Sequence, residues 1–152
     1  MNTQNTQPTL PSPFWWKWLI AATVLVLAFG LAMVVIPEPI SRLFALILSS
    51  SQIVNSLGES ARAYHLLFQG VLGATMFGWG MALLVTVLTL FRRGIQEGWT
   101  ILSISLIAWF IPDTTFSLWS GYWQNGILNV ILLTLFAIPL AATYRTFFPK
   151  QP

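Results

Sequence analysis

The chain has no cysteine, one histidine, and only seven Lys or Arg and four Asp or Glu in 152 residues. Without cysteine there is no disulfide, thiolate metal site or thiol redox couple, which excludes disulfide-relay and quinone-thiol membrane enzymes. A lone histidine excludes bis-histidine haem within one chain, and the four acids lie scattered without ligand spacing, so no metal site is expected. Scarcity of charge is the more general constraint. Soluble domains carry charge on about a quarter of their residues, whereas here charged residues make up 7% and hydrophobic ones 56%. Such a chain cannot dissolve as a monomer, and its apolar surface calls for lipid. The net charge of +3 comes from dispersed residues rather than a basic patch, which excludes a nucleic-acid partner and leaves the positive charges to set topology.

Four segments meet the requirement of about 20 apolar residues for crossing a bilayer. The first runs from Phe14 to Ile36, opening on FWWKW and closing at Pro37. Its Trp15, Trp16 and Trp18 suit the headgroup layer, with Lys17 snorkelling beside them. The second, Ala63 to Phe91, is long enough to tilt and ends at Arg92 and Arg93. The third, Ile95 to Ile111, is short and stopped by Pro112. The fourth spans Tyr122 to Tyr144; its Pro139 predicts a kink rather than an end, because neighbouring helices can satisfy the freed carbonyl. The expected architecture is all-α: an integral membrane four-helix bundle over residues 14–148, preceded by a disordered lead-in (1–13) and followed by a short tail (149–152). Cleavage of the first span as a signal peptide is the alternative, with Ala28-Phe29-Gly30 as small residues at the cleavage spacing.

Charge distribution orients the bundle. With a cytoplasmic N-terminus, Lys17, Arg92, Arg93, Arg145 and Lys150 fall inside, while Arg42 and Arg62 fall outside with Glu38, Glu59 and Asp113. This obeys the positive-inside bias and places both termini in the cytoplasm. Between the first two spans, PEPISRLFALILSSSQIVNSLGES is too polar to span and too apolar for an ordinary loop. Ser41, Ala45, Ser49, Gln52 and Ser56 share one helical face, and Ile40, Leu43, Phe44, Ile47 and Val54 the neighbouring one. This pattern predicts an extra interfacial amphipathic element of one or two short helices; a shallow re-entrant segment fits the same periodicity.

The segment GVLGATMFGWGMA lies inside the second span although glycine costs a helix in water up to about 1 kcal/mol relative to alanine. Gly70, Ala74, Gly78 and Ala82 recur every four residues and predict a smooth strip for close helix packing, with Ala28 and Ala32 or Ala137 and Ala141 as partners. Homodimerisation through the same strip is the alternative. Gly73 and Gly80 lie off it.

Candidate chemistry gathers at the outer side. Glu59, Arg62 and His65 follow one another at intervals of three, Gln69 lies a turn below, and Asp113, Tyr64, Gln124 and Asn125 fall at similar height. One reading of this cluster is structural, as interfacial ion pairs and an aromatic belt. The other is a ligand-binding pocket, with Arg62 engaging an anion and His65 or Asp113 orienting a polar group. His65 is also the only candidate axial ligand for a haem or pigment. No cofactor is required by the pattern, although a bound lipid or quinone fits the pocket.

Two stretches, GVLGATMFGWG and SLIAWFIPDTTFSLWSGYWQNGILNVILL, resemble uncharacterised four-helix inner-membrane proteins of bacteria, DoxX-like in layout. The resemblance implies fold and location in the bacterial inner membrane, and a subset of such proteins accompanies quinone-linked or redox complexes as membrane subunits. No catalytic residue carries over. The functional expectation is a non-catalytic accessory subunit or small hydrophobic-ligand or lipid-binding module, whose partners are membrane lipids, a homo-oligomer or a larger membrane complex. The alternative is an intramembrane enzyme or redox or pigment-complex subunit using His65 and Asp113.

The topology is open to test with single cysteines introduced at Gln96 and Ser120. A membrane-impermeant thiol reagent applied to sealed vesicles should label them from opposite faces; labelling from one face would end the four-span topology.

Overall fold

The computed structural model describes residues 10–149, and the described residues are helical with no strand. The six helices are α1 (Pro13–Val35), α2 (Pro37–Ile47), α3 (Ser51–Ser56), α4 (Glu59–Thr89), α5 (Gln96–Trp119) and α6 (Trp123–Phe147), with one 3-10 turn at Phe91–Arg93. Four of them, α1, α4, α5 and α6, are long and apolar enough to cross a membrane. The expected lead-in and tail fall largely outside the described residues. The amphipathic element is two short helices, α2 and α3, joined where Ser49 takes a positive φ of 54°.

Two boundaries differ from expectation. Helix α4 begins at Glu59 and covers 31 residues, about 46 Å at 1.5 Å per residue, well beyond a hydrocarbon core of about 30 Å. Helix α5 does not stop at Pro112 but continues through it to Trp119. Proline ends a helix in water by removing a donor. Here Asn125 and Asn129 of α6 donate to Ser117 and Thr114 of α5 and hold the last two turns in place.

Helices α1 and α4 lie along one another, as do α5 and α6; α1 also touches α6, while α4 and α5 meet over a shorter stretch. The closest approach is at Gly30 and Gly73. A methyl group built on Gly73 would stand 2.6 Å from the Gly30 carbonyl oxygen and 2.5 Å from Met33 Cβ; one on Gly80 would strike Leu27 at 2.9 Å. This corrects the packing strip. Nothing stands within 4 Å of a methyl group built on Gly70 or Gly78, and Ala74 and Ala82 are exposed. The face that meets α1 repeats every seven residues, Gly73 and Gly80 with Leu83 and Val87 below, rather than every four.

The packed core is confined to one half of the bundle. Leu19, Ala22 and Val26 of α1 meet Leu83 and Val87 of α4, Leu102 and Leu106 of α5, and Phe136 and Leu140 of α6. Phe91 and Phe147 close that end, their ring centroids 4.8 Å apart. The Arg92 guanidinium lies 4.9 Å from the Trp16 ring centroid. This ties the start of α1 to the Arg92-Arg93 turn, so Lys17, Arg92 and Arg93 share one end of the bundle.

Most threonine hydroxyls within the spans are satisfied by their own helix, whereas the buried Ser103 Oγ of α5 has no partner among the described residues. Thr23, Thr75, Thr86, Thr89, Thr134 and Thr143 each donate to the carbonyl four residues earlier. Pro139 deprives the Leu135 carbonyl of its helical donor. The Trp18 indole supplies the replacement, with Nε1 donating to that oxygen at 2.8 Å. Trp18 thus turns its indole N–H toward α6, and Pro139 is buried and accommodated within α6.

Two outcomes follow for stability, measured by unfolding in mixed micelles. Gly73→Leu should destabilise by about 1–3 kcal/mol through overpacking, while Gly78→Leu leaves the monomer unaffected; equal effects would refute the assigned face. Trp18→Phe should cost about 1–3 kcal/mol by orphaning the Leu135 carbonyl. In a Pro139→Ala background the helix regains its own donor, so the double-mutant cycle should show coupling of about 1 kcal/mol or more, and strict additivity would deny the bond its role.

Candidate functional site

Where the core ends, the helices separate. In the half of the bundle that carries α2, the helix pairs α1–α4 and α5–α6 splay around a cleft of about 600 Å³, within the range of small-molecule sites. Phe29 and Met33 of α1 form one wall, continued by Thr75, Met76 and Trp79 of α4. Trp109 and Asp113 of α5 stand opposite with Asn125, Leu128 and Asn129 of α6. Helix α2 contributes Leu43, Phe44 and Ile47. The lining is largely hydrocarbon and aromatic, with its polar groups concentrated on α5 and α6.

Trp79 spans the gap between α4 and α5. Its Nε1 donates to Ser105 Oγ at 2.7 Å, and its ring lies 5.7 Å from that of Trp109 at an interplanar angle of 34°. The polar group is built on the α5–α6 hairpin, whose turn is made by Gly121 at φ 82°. Asp113 lies six residues inside the end of α5, about 9 Å along the axis. Ser117 Oγ donates to the Asp113 main-chain carbonyl at 2.7 Å and lies 3.3 Å from its Oδ1. Asn125 Nδ2 donates to Ser117 Oγ at 2.8 Å and to Asp113 Oδ1 at 3.3 Å. Asn129 Nδ2 donates to Thr114 Oγ1 at 3.1 Å.

The outer polar residues expected to form one pocket divide into two groups. Arg62, His65 and Gln69 lie on one face of α4 and hold α2. Arg62 pairs with Glu38 at 3.0 Å rather than with Glu59, and Arg42 approaches the same carboxylate at 4.0 Å. His65 Nε2 shares a hydrogen bond of 2.9 Å with Ser41 Oγ. Gln69 Nε2 donates to the Pro37 carbonyl at 2.7 Å. Glu59 is exposed in the first turn of α4; Tyr64, also exposed, packs edge-on against Phe68 at 4.6 Å. Asp113 and Asn125 belong to the cleft, separate from His65, which lines a hollow of about 150 Å³ between α2 and α4. Gln124 carries a buried Oε1 with no partner among the described residues.

The α4 seam also explains the orientation of α2. The small face bearing Ser41 and Ala45 is buried, while Leu43 and Leu46 are exposed. The short polar side chains let α2 approach α4 and its hydrogen-bonding groups, and the bulky apolar face is left to the cleft and its surroundings. Trp79, Trp109, Thr114, Ser117 and Asn129 were not among the sequence candidates. Asn129 had a usable signal: it lies four residues after Asn125, a helical neighbour in an otherwise apolar span. The aromatic pair had none, since Trp79 and Trp109 meet only through tertiary packing. Among the described residues no group of His, Asp and Glu could hold a metal ion.

No family model, curated protein or solved structure matches the chain.

Proposed function

We propose that the protein is a non-catalytic integral membrane protein that binds a small hydrophobic ligand or lipid, with both termini cytoplasmic and the cleft in the outer half of a bacterial inner membrane. The observation that carries this reading is the asymmetry of packing. One half of the bundle holds the cluster of buried apolar side chains, while the other opens a cleft of about 600 Å³ between the four long helices and α2. An apolar lining with a few convergent polar groups is the usual composition of a small-molecule site. Helix α2, docked by Arg62, His65 and Gln69, covers part of the cleft with Leu43, Phe44 and Ile47.

Binding is favoured over chemistry by the separation of His65 from Asp113. A general acid–base pair must converge on one reacting atom, yet these side chains have different partners and line different hollows. A binding module is favoured over a purely accessory subunit because the space lies between this chain's own helices. The orientation rests on the end shared by Lys17, Arg92 and Arg93 and on the positive-inside bias; the bacterial inner membrane rests on the DoxX-like resemblance.

Native mass spectrometry of gently extracted protein should detect a retained lipid, quinone or other amphiphile. Leu128→Trp and Thr75→Trp, which fill the cleft from opposite walls, should eject it without unfolding the bundle. Wild-type protein found empty and bound to other protein subunits would overturn this reading in favour of the accessory role.

A further inference from the structure

The polar end of the cleft is unbalanced in charge and in hydrogen bonding. Its lining includes one acid, Asp113, and no Lys, Arg or His. Because a carboxylate can only accept, the Asn125 amide must present its nitrogen to Asp113, and both hydrogens of that nitrogen are committed to Asp113 and Ser117. Asp113 Oδ2 and Asn125 Oδ1 are left without a donor among the described residues, and neither is sealed within protein. The nearby donors are largely spent: Trp79 Nε1 donates to Ser105, and Thr75 donates to its own helix at Val71. The Trp109 indole, one hydrogen of Asn129 and the Ser105 and Thr114 hydroxyls, which accept from Trp79 and Asn129, remain, and all are neutral.

Resting on the binding reading above, we infer that the cleft selects an amphiphile whose polar end is an ammonium group and which carries no anionic group. The nitrogen donates to Asp113 Oδ2 and Asn125 Oδ1, and the hydrocarbon lies along Met33, Phe44, Met76 and Leu128. The Trp79 and Trp109 rings add an attraction that acts on cations alone. An anionic head would meet Asp113 with no cation to offset it. A zwitterionic phospholipid would bring its phosphate into the same low-dielectric space, where no Lys or Arg lines the wall. A quinone offers acceptors to a site that is itself rich in acceptors.

The test uses the full chain in phosphatidylcholine nanodiscs, with dodecylammonium, dodecanol and dodecanoate as probes of equal chain length, and empty nanodiscs to subtract partitioning. Dodecylammonium should be retained at least about tenfold more tightly than dodecanol, as a charge-assisted hydrogen bond requires, and dodecanoate least. Asp113→Asn should bring the amine down to the level of the alcohol while dodecanol is unchanged; if this variant loses both, the wild-type ranking decides alone. Equal retention of the three probes, preference for dodecanoate, or displacement of the amine by phosphatidylethanolamine added to the bilayer would overturn the inference. Thr75→Trp separates the two levels. If it excludes probes that wild type binds without preference, the binding reading stands and ammonium selection falls; if it excludes none, both fall.

Discussion

The backbone contact between α1 and α4 is the constraint on which the rest of the structure depends. Gly30 and Gly73 let these helices approach so closely that even a methyl group on either would collide with main-chain atoms of the other helix. In an apolar solvent there is no hydrophobic force to draw helices together, so dispersion at short range and interhelical hydrogen bonds must suffice. Once α1 is seated on α4, its other flank meets α6, and α5 follows α6 through the hairpin at Gly121. Helices α4 and α5 are then joined chiefly through side chains, with Trp79 reaching Ser105 and Trp109. The cleft is the geometric remainder of that arrangement.

Polar groups within this bundle serve two distinct purposes. Trp18, Gln69 and the threonines supply donors to carbonyls that have lost a helical partner or lie where water does not reach. Each such bond avoids the penalty of a buried unpaired group. Trp99 adds a further bond near Trp18, donating to the Leu140 carbonyl at 2.9 Å while its ring packs on Tyr144 and Phe148. The Asp113 group differs, because its members bond to one another and still leave acceptor capacity facing the cleft.

The ion pair of Arg62 with Glu38 has little part in stability, since both side chains are about half exposed and such pairs contribute about 0–1 kcal/mol. Its effect is positional. Together with the Ser41–His65 and Gln69–Pro37 bonds it fixes α2 against α4, and α2 in turn supplies one side of the cleft. Arg62, His65 and Gln69 of the sequence cluster thus contact α2, as the structural reading of that cluster expects.

The sequence by itself determined the class of the protein, its four spans and the helical element after the first, because these depend on the apolar content of each segment and the medium that content requires. It also marked Asp113 and Asn125 as candidates, since polar side chains next to long apolar runs stand out against their neighbours. Only the tertiary structure decided which glycine face is buried, that α5 passes through Pro112, and that His65 and Asp113 serve different hollows. Those outcomes depend on the rotation of one helix about its axis relative to another. In a helix apolar all round, periodicity carries no information about that rotation; it is settled by where two backbones come close enough to touch.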